Sequence, residues 1–194
     1  MLSKGLLEQA AENAMINVEL LLPYAQAGVP IVGCEPSCLL TLRDEYPDLV
    51  RTPEARLVAE NSFLLEELLV KLDSAGELGL RFMDTPDRVL FHGHCHQKAF
   101  DTAGDTASAL RLIPGLEVVP IAATCCGMAG AFGYQAETYD VSMAIGGLDL
   151  FDAVNKAPEG SVVIADGTSC RQQIRDGSGA RASHAAVLLA EAVS

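Results

Sequence analysis

The sequence predicts an α/β fold: a mainly parallel sheet of about four strands with helices on both faces. Three observations predict it. Short apolar runs at Val29-Pro30-Ile31-Val32, Arg88 to Phe91, Leu116 to Ala122 and Ser161 to Ala165 are separated by helix-like stretches, and strand alternating with helix is the signature of a parallel sheet. Every cysteine follows the end of one of these runs: Cys34 and Cys38 the first, Cys95 the second, Cys125 and Cys126 the third, Cys170 the fourth. Ligands of such sheets collect beyond the carboxyl ends of the strands. Finally, Ile31 to Asp44 (IVGCEPSCLLTLRD) aligns without gaps on Val163 to Asp176 (VIADGTSCRQQIRD), with Ser-Cys and Arg-Asp coinciding. That implies a pseudo-twofold internal repeat of strand, tight turn and helix, with the cysteine near the positive end of the helix where a thiolate is favoured.

Taken in order, the chain opens with Leu6, Leu7, Ala10, Ala14, Val18, Leu21 and Leu22 at three- and four-residue steps, the period of one buried helix face. Pro23 is expected to end that helix. The first strand runs into Gly33-Cys34-Glu35-Pro36-Ser37-Cys38, and helix resumes through Leu39, Leu40 and Leu42 as far as Tyr46-Pro47. Residues 54 to 72 mix Leu57, Val58, Phe63, Leu64, Leu65, Leu68 and Leu69 with acidic residues, predicting one amphipathic helix. Gly76, Gly79 and Pro86 break regular structure before the remaining strands. His184 is expected to be structural, at the start of the last helix. No Cys-Cys pair precedes Cys34. The expected organisation is therefore the C-terminal part of a first cysteine-rich repeat over 1–84 and a complete second repeat over 85–194, packed as one compact domain.

Composition narrows the function. A chain of 194 residues, 49% hydrophobic, buries a sizeable core. A formal net charge of -13 with no Lys/Arg cluster argues against nucleic acid as a partner. No apolar stretch approaches the roughly 20 residues of a membrane span, and Met1-Leu2-Ser3-Lys4-Gly5 does not open a signal peptide. The expected location is the cytoplasm, peripheral to a membrane only through partners. There, six cysteines point to metal ligands or redox thiols before disulfides.

Cys95, the vicinal pair Cys125-Cys126 and Cys170 make a four-thiol set. Adjacent cysteines serve one tetrahedral ion only with a distorted backbone, so a polynuclear iron-sulfur cluster suits the pair better than a single zinc. Gly127 and Gly130 let backbone amides approach such a cluster. The alternative is that Cys125 and Cys126 are small buried residues at a turn. In "HGHCHQKA", residues 92 to 99, His92 and His94 point to one side if the strand continues, while Cys95 and His96 occupy the turn. Each of His92, His94 and His96 is either a ligand, a donor to a cluster sulfide, or a hydrogen-bonded residue at a loop–helix junction. Cys34 and Cys38, separated by three residues including Pro36, fit neither C-x-x-C nor a zinc knuckle, and are additional ligands or structural thiols. Arg43-Asp44 and Arg175-Asp176 read as helix-surface ion pairs. A hydrolase elbow G-x-S-x-G and a dinucleotide G-x-G-x-x-G after a strand are both missing.

The segments "GCEPSCLLTLRDEYPDLV", "LFHGHCHQKA", "CCGMAGAFGY" and "ADGTSCRQQI" together resemble the cysteine-rich CCG domain family. That family is found in the heterodisulfide reductase B subunit, the anaerobic glycerol-3-phosphate dehydrogenase C subunit and the iron-sulfur subunit of glycolate oxidase. The likeness covers essentially the whole chain and extends to the C-terminal region of fused FAD and iron-sulfur oxidoreductases acting on D-lactate, glycolate or related 2-hydroxy acids.

The resemblance implies an oxidoreductase part that transfers electrons but is not catalytic alone. Cys95, Cys125, Cys126 and Cys170 would be the ligands of an iron-sulfur cluster, a [4Fe-4S] centre first, with zinc as the other candidate. FAD would lie only in an upstream domain or partner, and the implied partners are a flavin-containing dehydrogenase domain or subunit and a ferredoxin-like iron-sulfur domain. Gly167 stands where the family's closing C-x-x-C has its first cysteine, which removes one ligand from a five-thiolate cluster and leaves four for a conventional one. Cys34 and Cys38 correspond to the end of a first repeat, so the chain is expected to be a piece of a longer reading frame. The alternative function is a zinc-bound or metal-free interaction module docking onto a redox partner.

Overall fold

A computed structural model describes residues 1–83 and 88–194. The break expected at Pro86 and the repeat boundary expected at 84–85 lie outside the described residues. The chain divides into two compact units, Met1–Leu65 and Glu66–Ser194.

In the first unit, α1 (Leu7–Gln26) is followed by β1 (Ile31–Gly33), α2 (Pro36–Arg43), α3 (Glu45–Val50), α4 (Pro53–Glu60) and β2 (Ser62–Leu64). β1 and β2 form a two-stranded parallel sheet, with Ile31 opposite Ser62 and Gly33 opposite Leu64. Val18, Ala25, Ala55 and Val58 form its core, flanked by Leu21, Ile31, Tyr46, Val50 and Leu57. Three expectations are corrected here. α1 runs past Pro23 to Gln26, and its buried face is Ala10, Ala14, Val18 and Ala25, while Leu6 and Leu7 are exposed. Helix likewise continues beyond Tyr46-Pro47, because Pro47 sits in the first turn of α3, where its missing N–H is not needed. The single helix expected over 54–72 is broken at Ser62–Leu64: the Asn61 amide and the Ser62 hydroxyl donate back to the Leu57 and Val58 carbonyls (2.9 and 2.7 Å), and the chain then pairs with β1. A cross-strand partner overrides the helical period.

The second unit contains α5 (Leu65–Ser74, whose first residue precedes the boundary), β3 (Arg88–His92), α6 (Cys95–Ala99), α7 (Ala103–Leu110) and β4 (Glu117–Pro120). After a 3-10 turn at Phe132–Tyr134 come α8 (Tyr139–Gly146), α9 (Leu150–Asn155), β5 (Val162–Ala165), α10 (Thr168–Ser178), β6 (Ala182–Ser183) and α11 (Ala185–Ala192). A four-stranded, all-parallel sheet has the order β4-β3-β5-β6. The α/β class and the parallel sheet of four strands stand as expected, with one exchange of members. The strand near residue 30 belongs to the other sheet, and the fourth place is taken by β6, a two-residue strand too short to announce itself by periodicity.

Side chains alternate across this sheet as the two-residue strand period requires. Val89, Phe91, Val118 and Ile164 face a core shared with α7 and α11, while Leu90, Val163 and Ala165 face one shared with α9 and α10. Both faces are covered, so the strands offer ligands only their ends.

Candidate metal centre

Three strand ends deliver the thiols. Cys95 opens α6, three residues beyond the last residue of β3; Cys125 and Cys126 follow β4; Cys170 is the third residue of α10, beyond β5. The Cys126 and Cys170 sulfurs are 3.4 Å apart and form a ligand group with His92; Cys95 and Cys125 stand outside that group and act on Cys170 only electrostatically. Cys126 and Cys170 are buried within the α9–α10 core, Cys125 is half-buried and Cys95 is exposed, so the set runs from the interior to the surface.

Burial and company divide the work between the sulfurs. Cys170 donates to Cys126, which with a hydrogen bond from His92 holds the Cys126 thiol well below the ordinary cysteine range. The same bond, burial and the neighbouring sulfurs push Cys170 strongly upward. Burial, then Cys125 and Cys126, raises Cys95. Lys98 is the local cation: burial lowers its pKa and all four thiols oppose that, while its Nζ donates to the Thr124 carbonyl (3.3 Å) and to that of Ala123, fixing the loop that leads into Cys125.

Two glycines set the shape. Gly127, at φ +97°, occupies backbone space only glycine enters comfortably, and a Cβ there would meet the Ser142 carbonyl oxygen at 2.2 Å. Its N–H points at the Cys125 sulfur (3.3 Å). At Gly167 a Cβ would lie 2.4 Å from His94 Cδ2 and 3.2 Å from the Cys170 sulfur. The histidine ring fills the place where a closing C-x-x-C would need its first side chain.

The histidines separate by role. His92 ends β3, is 1% exposed, and contributes one of three ligand atoms, with Cys126 and Cys170, that lie within 4.8 Å of one another; its Nδ1 has no hydrogen-bond partner. His94 caps α6: its Nδ1 accepts from the His96 N–H (3.2 Å) and the Gln97 Oε1 accepts from the His94 N–H (2.9 Å). That engagement gives it a structural task. His96 packs edge-on against His94 at 5.4 Å. Cys34, directly after β1, and Cys38, third in α2, are exposed thiols of the first unit.

Sequence reasoning missed Lys98 and the buried network behind the loops. Gln97, fully buried, donates to Thr106 Oγ1 and Asp166 Oδ2 (both 2.9 Å). Arg171 donates to the Ala165 and Asp166 carbonyls (2.8 and 2.6 Å), holding the turn that presents Cys170. A polar residue in a helix reads as solvent-facing unless a distant partner is known, and Asp166 stands 69 positions from Gln97, Ala123 and Thr124 25 and 26 from Lys98.

Two close buried sulfurs, the His92 ring in reach of both and a backbone amide aimed at the Cys125 sulfur fit a thiophilic metal on their chemistry. Over 195 residues the chain is 31% identical to the C subunit of the anaerobic glycerol-3-phosphate dehydrogenase of Escherichia coli K12, covering 100% of this chain and 48% of that relative. It is 30% identical over 181 residues to the D-2-hydroxyglutarate dehydrogenase of the same organism, and 29% identical over 177 residues to that of Pseudomonas putida, covering 17% and 16% of those proteins. The chain is homologous to all three. It spans about half the length of the glycerol-3-phosphate dehydrogenase relative. The resemblance drawn from the motifs therefore holds. No family model and no solved structure matches the chain. Among the described residues, no helix is long and apolar enough to cross a membrane.

Proposed function

We propose that this chain is the iron-sulfur electron-transfer domain of a flavin-dependent dehydrogenase or oxidase of the D-lactate/glycolate type, with Cys95, Cys125, Cys126 and Cys170 as the ligands of a [4Fe-4S] centre. The observation that carries the proposal is the buried Cys126–Cys170 pair with its sulfurs 3.4 Å apart; the electrostatic effect of Cys95 and Cys125 on Cys170, and of all four thiols on Lys98, supports it. Names of the relatives support it: part of a glycerol-3-phosphate dehydrogenase, and D-2-hydroxyglutarate dehydrogenases. A bound cluster supplies reversible one-electron carriage. The protein's part is to keep Cys126 as thiolate, to offset the negative charge with Lys98, to offer the Gly127 N–H to sulfur, and to shelter the inner ligands while Cys95 faces outward. Such a domain takes electrons from a flavin-containing domain or subunit and hands them to a ferredoxin-like iron-sulfur domain, in the cytoplasm or held at a membrane by its partners. In the same reading, 1–84 and 85–194 are a partial and a complete repeat; Cys38 and Cys170, each third in the helix that follows a strand, support it.

One observation favours a second reading, a zinc-bound interaction module. Two thiolates on a single tetrahedral ion with bonds of about 2.3 Å stand roughly 3.8 Å apart, close to the 3.4 Å between Cys126 and Cys170, with His92 in reach. Anaerobic reconstitution separates the two. The iron-sulfur reading expects a brown protein with broad absorbance near ~400 nm and about four irons per chain. Cys126→Ser should then lose most of the iron, whereas Cys34→Ser and Cys38→Ser retain it. A colourless chain holding one zinc supports the second reading, and iron lost only in Cys34→Ser refutes the ligand assignment.

A further inference from the structure

A second group of metal-ligating side chains lies in the same unit and takes no part in the thiol centre. Glu66 stands in the first turn of α5, Asp166 directly follows β5, and His184 caps α11. Glu66 is 1% exposed and Asp166 0%. His184 Nδ1 lies 3.5 Å from Asp166 Oδ1 and 3.9 Å from Glu66 Oε1, and one ligand atom from each residue falls within 4.8 Å of the others.

The hydrogen bonds around the group make it unusual. Asp166 is well supplied: Oδ1 accepts from the Ala185 N–H (3.1 Å) and Oδ2 from Gln97 Nε2 and Thr106 Oγ1. His184 Nδ1 accepts from the Ala186 N–H at 2.9 Å, so that nitrogen presents a lone pair and has no proton to give to either carboxylate. Both oxygens of Glu66 are buried without a hydrogen-bond partner. Backbone N–H groups serve Asp166 and His184, but among the described residues none serves Glu66, and a buried carboxylate without a donor is costly unless a proton or a cation meets it.

We propose that Glu66, Asp166 and His184 form a buried site for a divalent first-row transition cation, distinct from the cysteine centre. Ligand atoms around a tetrahedral ion with bonds of about 2.1 Å are roughly 3.4 Å apart, and the 3.5 and 3.9 Å spacings approach that value. Two carboxylates and an imidazole suit Mn²⁺, Fe²⁺ or Zn²⁺ better than Ca²⁺, which takes oxygen alone. A 2+ ion neutralises both carboxylates, and Gln97, Thr106 and the Ala185 N–H hold Asp166 in place as outer partners hold metal ligands elsewhere. The ion displaces the Ala186 N–H from His184 Nδ1. The competing occupant is a proton on Glu66, whose carboxyl is pushed up to about 8 by burial and then by Asp166.

Two probes decide between them in the full chain. Mn²⁺ is chosen because it avoids thiolates: depletion of its free-ion electron paramagnetic resonance signal should give one bound ion per chain in the wild type and in Cys126→Ser, and at least tenfold weaker binding in the isosteric Glu66→Gln. Zn²⁺ is added to the Cys126→Ser/Cys170→Ser variant and counted by mass spectrometry, with one Glu66-dependent ion expected. Circular dichroism checks that each variant is folded; should Glu66→Gln fail to fold, His184→Gln replaces it. If neither ion binds the wild-type chain, or if Glu66→Gln and His184→Gln bind as the wild type does, the proposal is overturned and Glu66 is a protonated carboxyl.

Discussion

At position 167 the absent side chain leaves room for a histidine ring. With His94 Cδ2 2.4 Å from where a Cβ would stand, Gly167→Ala is expected to destabilise the protein by about 1–3 kcal/mol through overpacking. In a His94→Ala background most of that loss should vanish, and a double-mutant cycle of urea midpoints measures the coupling. The glycine at 167 was legible in the sequence; the histidine ring that occupies its side-chain space, 73 positions earlier in the chain (167 − 94), was not, because periodicity carries no information about distant neighbours. Glu66 gives a second test at this scale. In the chain freed of divalent ions, its carboxyl titrates near 8 when folded against a reference of 4.5. The folded state then holds a proton that the unfolded state releases. This stabilisation is fully present below about 4.5, falls as pH rises, and is gone above the folded value of about 8. Urea midpoints of the wild type should decline across that window relative to Glu66→Gln, in which the slope is absent; parallel curves would contradict it.

Among the elements, β3 bears the most. It pairs with β4 on one side and β5 on the other, and it runs directly into His92 and the cap of α6, so errors in its position move the centre. Its partner residue Ile164, fully buried opposite Phe91, should cost about 2–5 kcal/mol when cut to Ala, measured by chemical denaturation with the variant's iron content as a second readout. Strands such as β3 and β5 were legible because a run of β-branched and aromatic residues bounded by Gly or a turn has few other uses. β2 was hidden inside a good helical period, and its strand state exists only through pairing with β1. β6 is two residues long and is defined by β5 alone. The sequence carried local preference faithfully and failed where a partner elsewhere in the chain overrode it.

For the molecule as a whole, two hydrophobic cores serve the sheet of the second unit and one serves the first. Nothing in the sequence offers a flavin-binding motif. The chain with added FAD should therefore show no oxidation of lactate or glycolate; measurable turnover by the pure chain would contradict the assignment of flavin chemistry to a partner. A net charge of -13 favours a partner with a basic face, and the rate of association with it should fall steeply as salt is raised.

The strand order β4-β3-β5-β6 also has a meaning in time. A nascent chain meets β3 first and can lay β4 against it, which brings Cys95 beside Cys125 and Cys126. The opposite edge of β3 must wait for β5, and the proposed ligand set is not closed until α10 emerges with Cys170, 75 residues after Cys95 (170 − 95). At ribosomal speeds this is a delay of roughly 4–15 s. Throughout it Cys126 lacks the hydrogen bond from Cys170 that holds its thiol low, so on the proposed ligand assignment the centre is completed by the last cysteine to be synthesised, and the cell has a defined interval in which a metal donor must not arrive too early.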